Sequence, residues 1–434
     1  MGHCILRFIY NFFIYLVLPF VIIRLYFRSI RQPQYRSRVR ERFGYIPDLD
    51  LDHRIIWIHA VSVGEVYAAK PLIQLIQRQY PDFLLLLTTM TSTGARIVEQ
   101  QFGDSVCHLF VPYDLPGAIR RFIHCIKPEL LIVIETEVWP NMFYYCRQNN
   151  VPVVIANARL SRKSFRGYKY ISTFTRGVLS NVSMIIARSQ ADADYFTRLG
   201  VDEACIKVSG NLKFDMELPE NIKQQADILR RELQLDRPVW IAASTHKSEE
   251  EKLLAAFKKI TDAYPDCLLI IAPRHPVRTD TIVNLVNISG FTVMRKSQDA
   301  VLSDDIQVYI LDTLGELMLY YALADLAFVG GSLVPTGGHN VLEPASLGIP
   351  VITGPHNFNF LEICELLEKA GALRVVYNSD QLVNQVNLLL GDAELRHNSG
   401  SKGRELVEAN RGSACRAMHY LEDFLDKNAT SGIS

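Results

Sequence analysis

The sequence predicts an α/β protein of two domains, each built on a parallel sheet, preceded by a membrane-anchoring helix at the N-terminus. Three observations carry that expectation. Short apolar runs alternate with helical patterns, the signature of βαβ units. The alternation runs to residue 209 and starts again at residue 238. An apolar stretch at 8–23, FIYNFFIYLVLPFVII, precedes both sets and is broken only by Asn11.

Length and charge fit this division. At 434 residues the chain exceeds one ordinary core, which favours two domains or more. Its formal net charge is zero and 21% of residues are charged; this argues against a disordered tail protein and against a broad basic surface for nucleic acid. The eight cysteines are scattered, with no C-x-x-C pair and no His/Cys cluster at metal-ligand spacing. They read as reduced thiols in a reducing compartment.

The apolar stretch is shorter than the roughly 20 residues that span a bilayer, and snorkelling arginines at its ends can extend it. Arg24, Arg28, Arg31, Arg36, Arg38, Arg40 and Arg42 follow it, opposed by Glu41 alone. A cleaved signal peptide fits less well, because bulky aromatics replace the small-residue cleavage site and most arginines follow the apolar run. A buried helix of a soluble core is the other alternative. The arginine excess places the rest of the chain in the cytoplasm and suits contact with anionic lipid.

The first set of expected strands is 55–59, 83–88, 130–135, 151–156, 184–187 and 206–209, with a helix at 66–80 whose Ala69, Leu72, Ile73 and Ile76 share one face. The second set is 239–243, 268–272, 291–294, 308–311, 326–330 and 351–354, and the polar stretch 218–235 reads as a helical bridge. The expected domains are an anchor at 1–30, Rossmann-like domains at 31–217 and 218–425, and a frayed tail at 426–434. In such sheets ligands bind at loops leaving the carboxyl ends of strands, where helix N-termini offer unpaired N–H groups and a positive dipole end.

In the first domain, A-V-S-V-G-E-V places Glu65 at a helix start. There the dipole is expected to lower its pKa. Glu65 reads either as a capping glutamate or as a general base facing a cleft between the domains. In E-T-E-V-W-P-N, alternation puts Glu135 and Glu137 on one side of an extended chain; both are either solvated loop charges or site carboxylates. Trp139 reads as a core or rim aromatic. After N-A-R-L-S (Asn157, Arg159, Ser161), G-N-L-K-F-D brings Lys213 and Asp215. Lys213 is either a surface lysine or a cation for phosphate or carboxylate.

In the second domain, Ser244 and Thr245 offer hydroxyl and N–H groups to a phosphate at a helix start. Pro273, Arg274 and His275 follow the next strand, and Arg274 can fork onto phosphate or pair with a neighbouring helix. The stretch 330–354 is the most specific. Gly337 and Gly338 let backbone approach a ligand, His339 and Asn340 open a helix, and Glu343 can accept from ribose hydroxyls. His339 also reads as a helix cap.

Together V-S-V-G-E (61–65), E-T-E-V-W-P-N (135–141), G-N-L-K-F-D (210–215), A-P-R-H (272–275) and G-G-H-N-V-L-E-P-A (337–345) resemble the Kdo transferases of lipopolysaccharide synthesis, inverting GT-B glycosyltransferases that use no metal. The resemblance runs from the arginine-rich segment to about residue 421. It implies a GT-B fold whose two Rossmann-like domains face a central cleft. It also implies transfer of Kdo from CMP-Kdo to the 6′-hydroxyl of a lipid A precursor (lipid IVA), at the cytoplasmic face of a bacterial inner membrane, without a cofactor. It makes Glu65 the proton acceptor, and Glu135 and Lys213 the groups that stabilise the transition state. It places CMP against Pro273 and Arg274, Leu314, Gly315 and Glu316, and Asn340, Val341, Leu342 and Glu343. From the residues alone, 314–316 reads as a plain helix start. A GT-B-like nucleotide-sugar 2-epimerase and a non-catalytic membrane-tethered nucleotide-binding module are the competing readings. The anchor counts against the first and the presence of Glu65 and Lys213 against the second.

Overall fold

The computed structural model describes residues 2–31, 38–47, 53–298 and 302–429. The chain divides into two compact units, Met1–Met216 with Asn410–Ser434, and Glu217–Ala409. Each is built on one seven-stranded sheet.

In unit 1 the strands are β1 (Arg54–His59), β2 (Phe83–Thr89), β3 (Cys107–Phe110), β4 (Leu130–Ile134), β5 (Val153–Ala158), β6 (Met184–Ala187) and β7 (Ile206–Val208). All pair in parallel, in the order β3-β2-β1-β4-β5-β6-β7. Parallel strands are covered on both faces and so read as continuous apolar runs. Ile55, Trp57, Leu131 and Val133 pack one side of the sheet, and Ile56, Ile58, Leu130 and Ile132 the other. The order reverses between β1 and β4, so the loops leaving those two strands flank the topological switch point where such sheets bind ligands.

Unit 2 repeats the plan with β8 (Val239–Thr245), β9 (Leu268–Pro273), β10 (Val293–Arg295), β11 (Val308–Ile310), β12 (Leu326–Val329), β13 (Val351–Thr353) and β14 (Leu373–Val375). The parallel order is β10-β11-β9-β8-β12-β13-β14. Its switch point lies between β8 and β12. The bridge helix, Ile222–Glu232, packs on the Leu317–Leu323 helix within this unit.

Two strands, β3 and β14, are additions to the expected set. The last helix, Ser413–Ala429, belongs to unit 1 and packs on the Val63–Gln79 helix, whereas the sequence reading carries the second domain to residue 425. Asp215 causes the return by accepting the Gly412 amide at 2.6 Å and the Ala414 amide, which caps the helix start. The helix continues to Ala429, and residues 430–434 of the expected tail lie outside the described residues.

The N-terminal helix runs Gly2–Arg31. Its Ile5–Phe27 segment, of mean hydropathy 2.0, is long and apolar enough to cross a membrane. Among the described residues, the arginines after it range from buried to exposed positions. Arg42 is buried and donates to the Met90 carbonyl at 2.9 Å. Arg38 pairs with Glu41 at 2.5 Å and donates to the His108 carbonyl. Arg24 and Arg40 are exposed; Arg36 and the side chains of Arg28 and Arg31 lie outside the described residues.

Candidate active site

The loop after β1 enters the Val63–Gln79 helix through a cap. Ser62 Oγ accepts from the Glu65 amide at 3.3 Å and donates to Glu65 Oε1 at 3.0 Å, while the Val61 amide donates to Oε2 at 2.6 Å. This is close to a capping box. Glu65 is buried all the same. The expected lowering of its pKa is reversed: burial first, then the carboxylates of Glu135 and Glu137, push it up to about 7 against the Val61 and Ser62 hydrogen bonds.

Glu135 and Glu137 reach this neighbourhood by another route than alternation. β4 stops at Ile134 and Glu135 is left-handed, at φ 60°, so the chain turns instead of continuing extended. Glu135 Oε1 then meets Lys213 Nζ at 3.0 Å, with both side chains less than one-fifth exposed. Glu137 accepts from the Trp139 indole N–H at 2.9 Å, and burial raises its pKa. Trp139 packs on the core and sets its ring edge-on to His59, centroids 5.3 Å apart.

The G-N-L-K-F-D segment is built to aim Lys213. Leu212 and Phe214 are buried, Asn211 accepts the Lys213 amide at 3.1 Å, and the Leu212 amide donates to Asn157 Oδ1 at 3.1 Å. Asn157 stands at the bulge of β5 with φ 53°. The Arg159 amide donates to Thr136 Oγ1 at 3.2 Å, and Ser161 caps the next helix. Sequence reasoning missed His59, whose Nδ1 sits 2.9 Å from Thr88 Oγ1 and which burial drives down to about 3, keeping it neutral. Its place as the last residue of β1 was the available signal.

In unit 2 Arg274 is exposed just past β9. Its charge opposes protonation of His339 and favours the ionised form of Glu343, so the structure brings these three expected residues together. Glu343 is nevertheless pushed up to about 7, because burial outweighs the Asn340 hydrogen bond at 3.1 Å and the guanidinium. His339 Nε2 lies 2.8 Å from His246 Nε2, and burial with Arg274 and the two neighbouring histidines lowers it to about 3. His275 sets its ring edge-on to His246 at 5.7 Å. Pro273 closes β9, and Leu314, Gly315 and Glu316 follow the adjacent strand β11. Leu314 is exposed, and Glu316 accepts from Thr313 Oγ1 as the cap of the Leu317–Leu323 helix.

Two expectations change here, at the helix start and at Thr245. The helix opens at Leu342, not at His339, and it runs six residues to Leu347. Val341 and Leu342 are buried, so they offer a ligand their backbone and not their side chains. Thr245 is buried and donates to Glu250 at 2.9 Å, which removes its hydroxyl from phosphate binding; Ser244 is left-handed, at φ 56°. Gly337 and Gly338 are left-handed, at φ 109° and 75°, and the side a Cβ would take is filled by Asn359 and Phe358 at Gly337 and by Asn357 at Gly338. Sequence reasoning also missed Glu249. It is buried and accepts the amides of His246, Gly331, Ser332 and Leu333 at 2.7–3.0 Å, welding the β8 loop to the β12 loop. Among the described residues no three His, Cys, Asp or Glu side chains are arranged to hold a metal.

Comparison with known proteins agrees with this architecture. Residues 37–216 match the family model described as 3-deoxy-D-manno-octulosonic-acid transferase, and residues 239–406 match the model of group 1 glycosyl transferases. The 3-deoxy-D-manno-octulosonic acid transferase of Haemophilus influenzae is 40% identical over 97% of this chain and 99% of its own. The Bordetella pertussis enzyme of the same name is 33% identical over 85% of this chain and 87% of its own. A crystal structure of UDP-GlcNAc 2-epimerase from Neisseria meningitidis bound to UDP-GlcNAc covers 86% of this chain and all of its own at TM-score 0.57 and 13% identity, a likeness of fold alone. The chain therefore belongs to the Kdo transferases, glycosyltransferases with the GT-B arrangement of two Rossmann-like domains.

Proposed function

We propose that the enzyme transfers Kdo from CMP-Kdo to the 6′-hydroxyl of a lipid A precursor, lipid IVA, with inversion and without a metal, at the cytoplasmic face of a bacterial inner membrane. Unit 1 binds the acceptor and unit 2 the donor. Glu65 takes the proton of the acceptor hydroxyl as its oxygen bonds the ketose carbon. The bond from that carbon to the CMP phosphate breaks, and its electron pair leaves with CMP. Lys213, held by Glu135, stabilises the charge that develops. Arg274 meets the phosphate. Pro273, the 314–316 turn and the backbone at Val341 and Leu342 line the nucleotide, and Asn340 with Glu343 takes the ribose hydroxyls. Ser244, His275 and His339 complete the phosphate side, with Gly337 and Gly338 shaping the loop.

The observation that carries this reading is Glu65, a buried carboxyl poised at about 7 and raised in part by Glu135, the carboxylate that pairs with Lys213. A general base works best when its pKa lies near the working pH. CMP leaves without help from a cation on a diphosphate, and Arg274 with Lys213 supplies positive charge. The test is transfer to tetraacylated lipid A precursor in detergent with EDTA present, read by product mass. Product of the mass of acceptor plus Kdo is expected. Its absence from a preparation that still binds CMP would overturn the donor and acceptor assigned here.

A further inference from the structure

We propose that the Gly2–Arg31 helix lies along the membrane surface, docked on unit 1, and does not cross the bilayer. This deepens the reading above, on which the helix is the membrane anchor.

The first reason is that its N-terminal third is hydrogen-bonded to unit 1. Tyr10 Oη donates to Asp114 Oδ2 at 2.9 Å, and Asn141 Nδ2 donates to Asn11 Oδ1 at 2.7 Å. Arg7 stacks over the Tyr144 ring at 3.3 Å. Asp114 is itself buried and accepts the amides of Asn141 and Met142. A crossing helix carries one end to the far side of the membrane, where it cannot reach these groups.

Length gives the second reason. With Asn11 held on unit 1, the segment to Phe27 rises about 24 Å at 1.5 Å per residue, short of the roughly 30 Å of hydrocarbon. The other end is tied as well, since after residues 32–37 the chain re-enters unit 1 through Arg38 and Glu41.

The third reason is the pattern of exposure. The less exposed positions recur at Arg7, Asn11, Ile14, Leu18, Val21 and Leu25, one stripe along the helix, while Phe8, Phe12, Leu16 and Phe20 stand out, 57–72% exposed. In-plane helices need an apolar and a polar side. Here the apolar side is the helix's own, and polar groups of unit 1 meet the other side at Arg7, Tyr10 and Asn11. The occupant of the exposed side is the headgroup and acyl boundary of an anionic bilayer, which suits the unbroken apolar surface and the exposed Arg24 beside it.

This docking matters for the reaction because Asn141 closes the E-T-E-V-W-P-N segment that carries Glu135 and Glu137. One hydrogen bond separates the membrane helix from that segment, so the acceptor loop is held at headgroup depth and a lipid acceptor reacts without leaving its bilayer.

The test fuses a short epitope ahead of Met1 of the full-length chain and compares protease access in spheroplasts and in inverted inner-membrane vesicles, with the catalytic units followed on the same blot. Digestion of epitope and units together, in inverted vesicles only, is expected. Digestion of the epitope in spheroplasts with the units protected would show a crossing helix and overturn the proposal. Recovery of the chain in the soluble fraction would overturn the anchor reading itself. A Tyr10→Phe, Asn11→Leu variant, more apolar than the original, should lose about tenfold in transfer to acceptor embedded in vesicles by misplacing the loop, with CMP binding unchanged. Unaltered transfer would refute the docking role.

Discussion

The two switch-point sites each hold a carboxyl raised to about 7, and they hold it against opposite neighbours. In unit 1 Glu65 is pushed up by burial and by two further carboxylates, and is pulled down by local hydrogen bonds. In unit 2 Glu343 is pushed up by burial alone, and is pulled down by Asn340 and the Arg274 guanidinium. A site crowded with like charge favours proton uptake; a site facing a cation favours holding an anion. The contrast fits the roles proposed above, chemistry in unit 1 and donor binding in unit 2.

The largest effect expected to break that separation is Glu65→Gln. It should cost about 10²–10⁴-fold in kcat with the donor KM little changed, measured by steady-state transfer. Lys213→Met should cost about 10²–10³-fold in kcat, again without moving donor affinity. Arg274→Ala should act the other way, raising the donor KM about 10–100-fold by removing a charge-assisted contact to phosphate. A kcat loss from Arg274→Ala equal to that of Lys213→Met would erase the distinction between the units.

A finer test is pH. With Glu65 as the proposed base, kcat/KM should rise with pH through about 7 and level off above it. Glu137→Gln removes one carboxylate that opposes ionisation, so the acid limb should move to lower pH. The smallest effect is on stability. Both carboxyls have folded pKa values above their unfolded ones, so their contribution is present below about 4.5 and is lost as pH rises through about 7. Melting temperatures at pH 5 and pH 8 should converge in the Glu65→Gln, Glu343→Gln double variant.

Much of this was legible in the chain. Strands β1, β2 and β4 are apolar runs that a parallel sheet demands, and Glu65, Glu135 and Arg274 fall just past the ends of buried strands, as the sequence implies. The short edge strands were not legible, because Cys107–Phe110 carries a histidine and a cysteine where a β-branched run would have marked it, and Leu373–Val375 is three residues long. Alternation misread Glu135 and Glu137 because a single left-handed residue turns the chain. The pKa of Glu65 was misjudged because the dipole is local and visible, while burial and the carboxylates from the loop after β4 come from the tertiary fold. Glu249 stands in a run of three glutamates that looks like a solvated helix start, and its partners lie 82–84 residues onward. Asn11 showed only as a break in an apolar run; its partner Asn141 lies 130 residues away.

The most direct test of the division between the units pairs calorimetric titration of CMP into Glu65→Gln with single-turnover transfer by the same variant. A division of chemistry from donor binding predicts CMP affinity within about twofold of wild type and transfer reduced at least about 100-fold. Transfer within a few-fold of wild type, or loss of CMP binding along with transfer, would contradict it.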